Sequence, residues 1–65
     1  MNIKLEMEGH MILGKVIKLM NSTIIIICAG IELYEGYPGY APGLLLLRNI
    51  KRISASNDKV VIEIE

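Results

Sequence analysis

Thr23-Ile24-Ile25-Ile26-Ile27-Cys28-Ala29-Gly30-Ile31-Glu32-Leu33-Tyr34-Glu35 is the most apolar part of the chain and carries the clearest strand pattern in it. Its first half is β-branched nearly throughout, which disfavours helix and suits a strand covered on both faces. Gly30 interrupts it, and Ile31 to Glu35 then alternates apolar and polar, the pattern of a strand with one wet face. Working outward, Asn2 to Glu8 alternates too, with Ile3, Leu5 and Met7 set against Lys4, Glu6 and Glu8. Gly9-His10 reads as a turn, and Met11 to Met20 as a longer, less regular strand bent at Gly14. Gly36 to Gly43 holds three glycines and two prolines, so it is a loop. Leu44 to Arg48 and Ile50 to Ser54 read as strands about a kink at Asn49. Ala55 to Asp58 is a polar turn, and Lys59 to Glu65 alternates with Val60, Ile62 and Ile64 inward.

Five or six short strands with regular turns predict one all-β domain over residues 1–65, a small antiparallel SH3-like barrel. Its expected core includes Ile3, Leu5, Ile24, Ile26, Leu45 and Ile62. Residues 44–53 also place Leu46, Ile50 and Ile53 at helical spacing, which keeps a short helix there as the alternative. With 52% hydrophobic residues and 22% charged ones, the chain is too apolar for disorder. Seven cations balance seven anions, so no whole-chain field draws nucleic acid or an anionic membrane. No apolar run approaches the ~18 residues of a membrane span, and the N-terminus lacks a secretory signal; a cytoplasmic protein is expected.

One cysteine, Cys28, excludes an internal disulfide, and with His10 it is too little for a closed zinc site; no cofactor is expected. A 65-residue domain without such staples is marginal. Twelve isoleucines and eight leucines supply apolar surface for an interface as well as a core, so a homo-oligomer is expected. Nothing predicts catalysis. His10 falls in a turn, Cys28 lies in an apolar run, and the pairs Glu6/Glu8 and Glu63/Glu65 fit solvated strand faces. Two features fit binding instead. Arg48, Lys51 and Arg52 crowd five residues and could hold phosphates. Tyr34, Tyr37 and Tyr40 gather in and beside the glycine-proline loop, where they could stack on bases, line a peptide groove or close over the core.

Two segments, Glu8 to Ile27 and Leu44 to Ser54, carry a resemblance. Leu45-Leu46-Leu47-Arg48-Asn49-Ile50-Lys51-Arg52-Ile53 is similar to the second signature of the Sm and Sm-like proteins: aliphatics, Arg-Gly, a polar residue and Ile-x-x-Ile. Asn49 stands for the glycine, and asparagine tolerates a left-handed backbone. Gly14, Val16 and Ile24 to Ile27 follow the frame of the first signature, with Asn21 or Ser22 at the asparagine and no aspartate before it. The resemblance implies a homo-oligomeric ring that binds single-stranded RNA without catalysis. Arg48, Asn49 and Asn21 would then hold bases, and Lys51 and Arg52 phosphates. The alternative is a small β-barrel assembly module with the tyrosine loop as its contact surface and no nucleic acid bound.

Overall fold

The computed structural model describes the backbone of Lys4–Glu6 and residues 11–65. The expectations for Ile3, Met7, Glu8, Gly9 and His10, and for the side chains of Leu5 and Glu6, lie outside the described residues. The elements run β1 (Lys4–Glu6), α1 (Leu13–Ile17), β2 (Thr23–Cys28), β3 (Ile31–Gly36), two 3-10 helices (Pro38–Tyr40 and Gly43–Leu47), β4 (Ile50–Ser56) and β5 (Lys59–Ile64). One sheet in the order β1-β4-β5-β2-β3 holds four strands of six or seven residues and the three-residue β1.

Two hairpins build it, β2 with β3 and β4 with β5, both antiparallel. They join through β2 and β5, which run parallel in register from Thr23↔Lys59 to Cys28↔Ile64. The sheet is therefore mixed, and the expectation of purely antiparallel strands is corrected. The parallel pair lies inside the sheet, flanked by β4 and β3, so neither of its strands is an edge. No pairing joins β3 to β1 among the described residues.

The core forms on one face. Ile24, Ile26, Ile62 and Ile64 point from β2 and β5 onto Ile50 of β4 and onto Leu13 and Ile17 of α1, all buried. Leu45, expected in the core, is only half-buried against it. Ile25 and Ile27 on the opposite face of β2 are likewise half-buried, so β2 has one closed face and one partly open face.

Two expected strands are helical. Within Met11 to Met20, the residues Leu13, Val16, Ile17 and Met20 fall at i, i+3, i+4 and i+7, and all four belong to the core or pack against it. A strand would send Val16 and Ile17 to opposite faces. Leu44 to Arg48 is replaced by a 3-10 helix starting at Gly43. In that geometry residues i and i+3 eclipse, so Leu44 and Leu47 both face solvent while Leu45 and Leu46 turn to the core.

Both hairpin turns use a left-handed residue. Asn57 has φ 55° in the β4–β5 turn, a conformation asparagine accepts. The β2–β3 turn needs positive φ at Ala29 (52°) and Gly30 (79°), the signature of a two-residue hairpin turn. Alanine there costs about 1–2 kcal/mol of local strain. Ala29→Gly is accordingly expected to stabilise the fold by about 1 kcal/mol, read as a raised urea midpoint at unchanged slope; a lowered midpoint would contradict this turn.

Candidate interaction surface

The cationic cluster sits where β2 and β5 end. Arg48 and Asn49 lead from the second 3-10 helix into β4, and their backbone ties the fold together. The Arg48 carbonyl accepts from the Leu13 amide (2.9 Å), and the Asn49 carbonyl accepts from the Glu65 amide (2.9 Å). The Arg48 side chain is exposed and its Nη2 lies 3.6 Å from Cys28 Sγ. Asn49 is half-buried and bridged to Ile12.

Lys51 and Arg52 are governed by a β-bulge. The β4–β5 register steps from Ile50↔Ile64 to Arg52↔Glu63, so both cations oppose one residue, Glu63. Arg52 Nη1 donates to Glu63 Oε1 at 3.1 Å, and Lys51 Nζ stands 3.7 Å from Oε2. One carboxylate thus neutralises much of what a phosphate would seek. Arg52 is half-buried, and its Nε is buried without a partner among the described residues. The register sets Glu6 of β1 opposite it.

Asn21 does not join this group. It is exposed just before Thr23, at the far end of β2 from Cys28. Five residue steps separate those ends, about 17 Å. The structure brings Arg48, Asn49, Lys51 and Arg52 to one region and places Asn21 at the other end of the sheet.

The three tyrosines divide in two. Tyr34 on β3 is half-buried against the core, and its hydroxyl donates to the Tyr37 carbonyl (2.7 Å). Its ring lies over Gly36, where an added Cβ would come within 2.7 Å of the Tyr34 hydroxyl oxygen at a φ of 156°. Gly36→Ala is therefore expected to unseat Tyr34 and destabilise by about 1–3 kcal/mol. Loss of Tyr34 from the core should show as a shifted near-ultraviolet spectrum, and an unchanged spectrum and midpoint would contradict this seat. Tyr37 and Tyr40, by contrast, are 65% and 80% exposed.

Beyond them come two residues the strand expectation concealed, Leu44 (83% exposed) and Leu47 (74%). Tyr37 to Leu47 contains no charged residue. Ala41, Leu45 and Leu46 anchor this segment to the core, and its two 3-10 helices hold the four exposed side chains on a fixed frame. No local signal marks them: a run of four leucines also fits a strand covered on both faces, and only the 3-10 backbone turns two of them outward.

The other sheet face carries a concavity of ≈ 330 Å³, bounded by Ile27, Arg52, Ser54, Val61 and Glu63. Lys59 reaches across β2 to hydrogen-bond Glu35 on β3. That bond, and then the attraction of the same carboxylate, raises the lysine above its ordinary 10.5. A raised lysine contributes stability that is complete below 10.5 and fades as pH climbs through the raised value. Glu35→Gln should therefore lower stability slightly at neutral pH and flatten the alkaline limb above 10.5, so that the two profiles converge at high pH. An alkaline limb of unaltered steepness would count against the pair.

Among the described residues no three His, Cys, Asp or Glu side chains gather as a metal site. No helix of the described residues is long and apolar enough to cross a membrane. No protein-family model, curated protein or solved structure matches the chain.

Proposed function

We propose that this chain is a small β-rich protein-association module, with Tyr37 to Leu47 as its contact surface and no catalytic step of its own. The observation that carries the reading is an eleven-residue stretch without charge that shows Tyr37, Tyr40, Leu44 and Leu47 to solvent from a core-anchored frame. Aromatic side chains on a rigid backbone supply large contact area at small entropic cost. An uncharged apolar surface recognises its like and offers nothing to a phosphate.

The competing reading is the Sm-like ring with RNA on Arg48, Asn49, Asn21, Lys51 and Arg52. Glu63 sits on two of its three cations, and Asn21 stands at the opposite end of the sheet, so the geometry supports association better. Fluorescence anisotropy with a short single-stranded RNA across a salt series tests the choice. Association predicts no saturable binding at physiological salt. Micromolar binding that weakens steeply with salt and is lost in Arg48→Gln would overturn it.

A further inference from the structure

Resting on the association reading, we infer that the occupant of the Tyr37–Leu47 surface is a second copy of this chain, giving a dimer in which the same segment of each copy meets the other. Three observations carry it. The first is area. At ~150 Å² for each exposed tyrosine and ~100 Å² for each exposed leucine, the four side chains offer on the order of 500 Å² per copy. Two copies then bury about 1,000 Å², where specific interfaces begin.

The second observation is charge. The chain has a net charge of +0 and the segment carries none, so two copies meet without repulsion and strand no ion. The third is relief. Leu44 and Leu47 form a ridge on one 3-10 helix, while Gly39 and Gly43 leave bare backbone on either side of Tyr40, with nothing within 4 Å of an added Cβ. A surface with both a ridge and open backbone can seat its own copy about a two-fold axis.

Light scattering after size exclusion over ~1–100 µM tests the inference, since an interface of this size is expected to dissociate in the micromolar range. The wild-type chain should move from 7.2 kDa toward twice that mass as concentration rises. The double variant Leu44→Asp/Leu47→Asp should stay at 7.2 kDa throughout, with the wild-type far-ultraviolet spectrum because both leucines are exposed. If that variant loses its fold, Tyr40→Lys is read in its place, with the same expected loss of the dimer. A wild-type chain that remains at 7.2 kDa overturns the second-copy inference and leaves association with a different protein standing. A dimer untouched by the variants overturns both the inference and this surface.

Discussion

Ile26→Ala is expected to cost about 3–4 kcal/mol, a large share of what so small a domain has to lose. Ile26 is 0% exposed at the centre of the sheet, opposite Ile62 on β5 and Tyr34 on β3. Both neighbouring strands are hydrogen-bonded in place, so the site cannot collapse to fill the space. A domain of this length has about 3–10 kcal/mol of stability in all. The next residue supplies the control. Ile27 faces the other side of β2 and is half-buried, so Ile27→Ala should cost about 1 kcal/mol. Urea unfolding followed by circular dichroism reads both, and similar losses would mean that β2 does not divide its faces as described.

Gly14→Val is the second large expected loss, about 2–4 kcal/mol. A Cβ on Gly14 would stand 3.1 Å from the Leu46 carbonyl oxygen and 3.4 Å from the Leu46 Cβ. The glycine lets α1 lie directly on the second 3-10 helix, and valine would drive two further methyls into that contact. Gly14→Ala makes the comparison sharp. Alanine gains about 1 kcal/mol of helix propensity and loses a similar amount to the 3.1 Å contact, so it should be nearly neutral. Equal destabilisation by alanine and valine would contradict this account of the packing, as would tolerance of valine.

The Gly14 case also shows where sequence and structure part. A glycine marking a close approach is legible, but α1 is not a bent strand. Its helical signal, Leu13, Val16, Ile17 and Met20, is obscured by two β-branched residues and the glycine itself, all poor helix formers. Packing on the sheet outweighs that propensity. The two hairpins are legible because alternation and turn residues are local. The β2–β5 parallel pairing is not, since it joins segments some 36 positions apart and leaves no periodic trace.

The site divides along the same line. Arg48, Lys51 and Arg52 are adjacent in sequence and in space, yet Glu63 lies eleven residues beyond Arg52 and meets them only through the bulge. The consecutive polar pair Lys51-Arg52 between isoleucines, which breaks the period of two, is the trace that bulge leaves. Tyr37 and Tyr40 are legible as loop aromatics. Leu44 and Leu47 emerge only once their backbone is a 3-10 helix, because a strand would have split the four leucines between two faces.

On the proposal above, Tyr37 to Leu47 is an interface between proteins. A benzophenone amino acid placed at Tyr40 in living cells, and at Asn57 of the exposed β4–β5 turn as the control, tests it most directly. Illumination is expected to capture protein at Tyr40, either a second copy of the chain or another polypeptide, and nothing comparable at Asn57. Crosslinked nucleic acid at Tyr40, or the same weak background at both positions, would contradict it.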